Sequence, residues 1–263
     1  MTAHIPAQII DALTLAHPSW HPTLEKGLRE LTLADPAYLP ALAAGSYLPT
    51  QGRLFAAFRL PFDAVRYILV GEGPYPREAS ATGVCFMDGA VEALWSANGL
   101  SKQVNRATSL RNFMKMLLVA DGWLSESDTG AAALQGVARR SSQDDSCIQG
   151  LPELQANLIS HGFLLLNASL VFRADVAPVK DARAWRPFLK VVLESLAARE
   201  RPATPTLVLW GKIAEQLASL DVTGRFPTVR SEHPYNLSFI ANKTMQDLFG
   251  PMRLLRKPSS SRV

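Results

Sequence analysis

With 263 residues, 48% of them hydrophobic, the chain has apolar surface enough for one large α/β domain or two small ones, and one folded unit over 1–263 is expected. A formal charge of +4 and a pI near 9.2 favour a polyanionic partner over an anion-repelling surface. Two cysteines, Cys85 and Cys147, exclude a disulfide framework and lack the spacing of a zinc site, so a reducing, cytoplasmic setting without a structural metal is expected. Residues 1–10 lack a basic-then-apolar leader pattern, and no apolar run approaches the roughly 20 residues that span a bilayer, so no membrane partner is expected.

From 6 to 42 apolar residues recur at three- and four-residue steps, interrupted by Pro18, Pro22, Pro36 and Pro40, which predicts a helical N-terminal cap over about 1–60. Residues 65–70 are short, apolar and partly β-branched, and 71–76 cannot continue them as regular structure, so a buried strand ends in a loop there. The arrangement returns at 163–166, which runs into Asn167, and at 206–210, which runs into Gly211-Lys212. Helical patterns at 109–119 and 184–197 lie between them. Parallel strands joined by helical crossovers follow: an α/β fold, a three-layer α/β/α sandwich with a central, mainly parallel sheet and functional residues at the carboxyl ends of its strands. The Ser-, Gly- and charge-rich stretch 125–150 reads as a surface excursion, and the tail 257–263 as disordered.

Several segments carry a resemblance in their order. Tyr47-Leu48-Pro49 is followed by Leu54-Phe55-Ala56-Ala57-Phe58, the strand at 65–70, and Gly71-Glu72-Gly73-Pro74-Tyr75-Pro76. Then come Gly83-Val84-Cys85-Phe86, Ala107-Thr108-Ser109-Leu110-Arg111-Asn112, Leu165-Leu166-Asn167, Trp210-Gly211-Lys212 and His233-Pro234-Tyr235-Asn236-Leu237-Ser238. From about 20 to 238 the chain resembles the uracil-DNA glycosylase superfamily.

The resemblance implies hydrolysis of the N-glycosidic bond of a flipped-out pyrimidine in DNA, by a monomer, without metal or organic cofactor. Phe86 then stacks on the base, and Asn167 reads its edge with an amide that both donates and accepts. Tyr75 walls off the pyrimidine 5-position, Gly71 and Gly73 line the base site, and His233 donates to the carbonyl on which negative charge grows. Leu237 wedges into the gap left in the duplex. Ser109, Ser169, Lys212 and Ser238 contact phosphate or sugar, where Lys212 adds a charge. Arg106, Arg111 and Lys115 extend that basic surface or form a solvated helix face.

One motif departs from the pattern. The family carries Gly-Gln-Asp-Pro-Tyr-His where this chain has residues 71–76, so three of six positions match, and the catalytic Asp falls on Gly73. Glu72 can supply the missing carboxylate if the chain bends at Gly73. Alternatively, the lost side chain makes room for a larger, 5-substituted pyrimidine, or the protein recognises DNA or a flipped base without cutting. Uracil and a modified base both remain open as substrate, as do DNA repair and defence against phage DNA.

Overall fold

The proline-rich N-terminal segment folds as a series of short helices. The computed structural model describes residues 5–200 and 203–258. Helix α1 (Ala7–Asp11) is followed by α2 (His21–Ala34), which takes Pro22 into its first turn, where a missing N–H costs nothing, and then by α3 (Tyr38–Ala44). After a 3-10 stretch at Arg53–Arg59 come β1 (Tyr67–Gly71), the short strands β2 (Trp95–Ser96) and β3 (Gly99–Leu100), α4 (Lys102–Arg106) and α5 (Thr108–Ala120). The chain continues through α6 (Ala131–Gln143), α7 (Leu151–Ser160), β4 (Phe163–Asn167), α8 (Pro178–Ala197), β5 (Thr206–Trp210), α9 (Ile213–Ala218), β6 (Thr228–Ser231) and α10 (Lys243–Phe249). Its contacts group into two compact units. The first takes in the chain up to Gly89 with Gly162–Leu209 and Ile213–Val229; the second takes in Ala90–His161, Trp210–Lys212 and the chain from Arg230 on.

The sheet has strand order β4-β1-β5-β6, and β1 and β4 lie wholly in the first unit, flanked by helices as the α/β pattern predicts. β1 pairs in parallel with both β4 and β5, and all five residues of β4 are buried, which explains why it reads as an unbroken apolar run. Tyr67 stacks on its register partner Phe163 with centroids 4.6 Å apart. Helix α2 buries Leu24, Gly27, Leu28 and Leu31 on one face. Gly27 makes room for α8: a Cβ there would lie 2.7 Å from the Phe188 ring.

Behind β4, the Arg173 guanidinium donates to Asp181 through Nη2 (2.7 Å) and Nε (3.1 Å), and the Tyr38 hydroxyl donates to the same carboxylate at 2.7 Å. Asp181 is 1% exposed and stands in the first turn of α8. The network ties the segment that follows Asn167 to the start of that helix.

The second unit is built on an aromatic cluster. Phe113 meets Phe249 edge-on at 5.1 Å, and Trp210 meets Phe239 edge-on at 5.5 Å. The stretch 125–150 includes α6, whose Leu134, Val137 and Ala138 are buried. At the carboxyl end, the Lys257 N–H donates to the Ser146 carbonyl at 2.7 Å, so the expected disorder does not begin at 257; residues 259–263 of that tail lie outside the described residues. Among the described residues no helix is long and apolar enough to cross a membrane.

Candidate active site

The parallel register sets Gly71 directly beside Asn167 at the carboxyl ends of β1 and β4. A Cβ at Gly71 would come within 2.8 Å of Asn167 Oδ1 and 3.0 Å of Cys85 Cβ, so glycine is required by the closeness of the amide. Asn167 is 3% exposed. Beyond the strands the ladder continues: the Ala168 N–H donates to Gly71 O (2.8 Å) and the Ser169 N–H to Glu72 O (3.1 Å). The backbone of the altered motif is therefore held by the segment that carries Asn167.

Cys85 and Phe86 reach the same strand ends from a tightly determined loop. The Cys85 N–H donates to Leu165 O and its thiol to Leu69 O, while the single Thr82 hydroxyl hydrogen is shared between the Met87 and Val84 carbonyls. Gly83 has φ +80°, and a Cβ there would lie 2.2 Å from Arg53 O. Phe86 takes φ +66°, a left-handed conformation that costs a bulky residue on the order of 1–3 kcal/mol and persists where the surroundings over-determine it. Burial pushes the Cys85 thiol up, which makes it a packing group and a donor. Tyr75 is half-buried; burial, then Asp88 and Cys85, push its phenol up to about 12, so it remains a hydrogen-bond donor through the neutral range.

Glu72 and Gly73 are exposed at the edge of a cavity of about 690 Å³. Its walls include Ala168, Ser169, Phe172, Arg183, Arg186 and Leu220, and none of Tyr75, Phe86 or Asn167. The base-binding set read from the sequence thus divides: Gly71 and Asn167 are in contact, with Cys85 packed beside them, whereas Gly73 stands against Ser169 and the cavity. A Cβ on Gly73 would lie 3.7 Å from Ser169, in ordinary contact. Ser169 departs from its expected role as a DNA contact: it is 4% exposed, and its hydroxyl donates to Val171 O at 2.8 Å, which makes it an internal tie of the loop.

In the second unit, His233 is exposed and its Nδ1 accepts the Tyr235 N–H at 3.1 Å. A neutral imidazole whose Nδ1 accepts carries its proton on Nε2 and donates from there. Gly211, at φ +57°, lets the turn bearing Lys212 come close, since a Cβ there would lie 2.9 Å from His233 Cβ. Leu237 is 69% exposed although it opens a 3-10 helix whose Phe239 and Ile240 are buried, so an apolar side chain is displayed on an anchored support. Ser238 and Lys212 are exposed, and Ser109 is half-buried in the first turn of α5, where free N–H groups favour an anion. Arg111 is tied back to Asn105 O at 3.2 Å, and burial followed by Arg111 lowers the Lys115 pKa.

The sequence reading did not single out Asn112, which is fully buried and donates to the carbonyls of the His233 loop. Its signal was present: one amide among Leu110, Phe113, Met114 and Leu117 on the apolar face of a helix. Among the described residues no cluster of His, Cys, Asp and Glu is arranged to hold a metal ion.

No protein-family model matches the chain. It is similar to uracil-DNA glycosylase 2 of Streptomyces coelicolor, 30% identical over 197 residues, covering 74% of this chain and 70% of that relative. It is also similar to the uracil-DNA glycosylase of Corynebacterium glutamicum, 29% identical over 236 residues, covering 87% and 83%. The crystal structure of UNG from Nitratifractor salsuginis aligns with a TM-score of 0.86 at 41% identity, over 95% of this chain and 98% of that one. Mimivirus uracil-DNA glycosylase, at 17% identity and a TM-score of 0.54 over 87% of this chain and 73% of that one, shares the fold. A parallel sheet with Asn167 and Phe86 at its strand ends defines an α/β protein of the uracil-DNA glycosylase fold class. At these identities, over most of both chains, the chain belongs to the uracil-DNA glycosylase family.

Proposed function

We propose that this protein is a DNA glycosylase that hydrolyses the N-glycosidic bond of a flipped-out pyrimidine, acting as a monomer without a cofactor and leaving an abasic site. The observation that carries the reading is His233 held as an Nε2 donor by the Tyr235 N–H. As the bond between the sugar C1′ and the base nitrogen breaks, its electron pair goes to the base, and a donor at the base carbonyl stabilises that charge. Asn167 reads the base edge, Phe86 stacks on it, and Leu237 occupies the gap in the duplex. Water supplies the hydroxyl to C1′ and its proton passes through solvent to the released base anion, with the Glu72 carboxylate stabilising the cationic sugar or orienting that water.

The curated relatives are named for uracil, which supports uracil as the base released and repair as the setting. The absence of a side chain at Gly73, exposed beside Glu72, leaves room for a second reading, a 5-substituted pyrimidine, for which defence against phage DNA is the fitting role.

The test is abasic-site formation on matched duplexes carrying uracil, cytosine or a bulky 5-modified cytosine, with Glu72→Gln and Gly73→Asp. Glu72→Gln is expected to lower kcat by about 10²-fold, and unchanged turnover would take the carboxylate out of the mechanism. Gly73→Asp, whose Cβ would meet Ser169 in ordinary contact, is expected to raise uracil release. DNA binding with no release of any base would leave a recognition protein instead. Leu237→Ala is expected to reduce activity on duplex DNA several-fold more than on single strands; equal losses on both would argue against a wedge.

A further inference from the structure

The segment that carries His233 and Leu237 is held from beneath by one buried side chain. Asn112, 0% exposed in α5, donates from Nδ2 to Pro234 O at 2.7 Å and lies 3.3 Å from both Tyr235 O and Asn236 O. Three successive carbonyls converge on one amide that has only two hydrogens to offer. The bond to Pro234 O is buried, so without this donor that carbonyl would be left unsatisfied.

The consequence for His233 follows from peptide planarity. Pro234 O and the Tyr235 N–H belong to one rigid trans peptide and point in opposite directions. With Pro234 O fixed on Asn112, the Tyr235 N–H is turned away from Asn112 and toward His233 Nδ1, 3.1 Å away. The turn is closed by the Asn236 N–H donating to His233 O at 2.9 Å. A side chain 121 positions earlier in the sequence thereby sets the direction in which the Tyr235 N–H points.

We propose that Asn112 is a positioning residue that holds the His233 loop in its donor-ready tautomer. Its effect on catalysis rests on the glycosylase reading above; its effect on the imidazole does not. Aspartate at this site has nearly the same shape but no N–H, and sets carboxylate oxygens against the three carbonyls. Alanine removes the donor without adding charge.

The experiment compares the full-length wild type, Asn112→Asp and Asn112→Ala, each labelled with 15N-histidine, by imidazole nitrogen shifts and by single-turnover base release. In the wild type, neutral His233 is expected to show a protonated Nε2 and an unprotonated Nδ1. In the folded variants that preference is expected to be lost, with kcat reduced about 10- to 100-fold and KM within about threefold, since the missing effect is on a transition-state donor. A folded variant with wild-type His233 shifts, or with wild-type kcat, would overturn the proposal, because a merely structural role lowers stability without moving either. Should neither variant fold, the wild-type spectrum decides: protonation on Nδ1 overturns the proposal and protonation on Nε2 supports it. A wild type that releases no base from any substrate counts against the glycosylase reading alone, because the nitrogen shifts need no substrate.

Discussion

His233→Ala is expected to lower kcat for base release by about 10²–10³-fold, the loss seen when one preorganised donor to a developing anion is removed. The folded state should be nearly untouched. His233 is exposed, and its Nδ1 accepts the Tyr235 N–H in an exposed part of the loop where water can take over. Single-turnover kinetics on the best substrate, alongside the urea midpoint of each protein, separates the two effects. An unchanged rate would remove His233 from the mechanism. A lost rate with an equally lost midpoint would make it a structural residue.

The second large effect falls on stability. Arg173→Met leaves the Asp181 carboxylate, 1% exposed, with the Tyr38 hydroxyl but no cation. Breaking a buried pair from one side costs about 3–5 kcal/mol, because the remaining charge stays desolvated without its partner. Arg173 is itself only 18% exposed at its side chain, so the pair does not behave as a surface salt bridge. Urea unfolding measures the loss, and a change below about 1 kcal/mol would place the pair with exposed ones of little worth. Arg173→Met combined with Asp181→Leu is expected to recover part of the stability, since no charge is then stranded. The same network joins the segment after Asn167 to α8, so the single variant should also loosen the strand end that bears the amide.

Much of the architecture was legible from local pattern. The apolar runs 65–70, 163–166 and 206–210 became β1, β4 and β5 because strands covered on both faces need little polar alternation. The helical pattern 109–119 became α5. Helix α8 begins at Pro178, six positions before the predicted start, because a proline is well suited to a first helical turn. β6 was missed: Thr-Val-Arg-Ser is short, polar and partly exposed, and only its neighbours make it a strand.

The candidate site divides along the same line. By itself the sequence determined the order of the motifs, the α/β class, the family resemblance and the loss of a carboxylate at Gly73, because each is written in residue types at short spacing. Only the tertiary structure decided that Ser169 is buried, that Gly71 is packed against Asn167 and Cys85, and that Glu72 and Gly73 border a cavity. It alone revealed the left-handed backbone at Phe86 and the grip of Asn112 on the His233 loop. The physical reason is distance along the chain: periodicity reports which face of an element is apolar, whereas Asn112 and Pro234 are 122 positions apart, and no local pattern records a hydrogen bond between them.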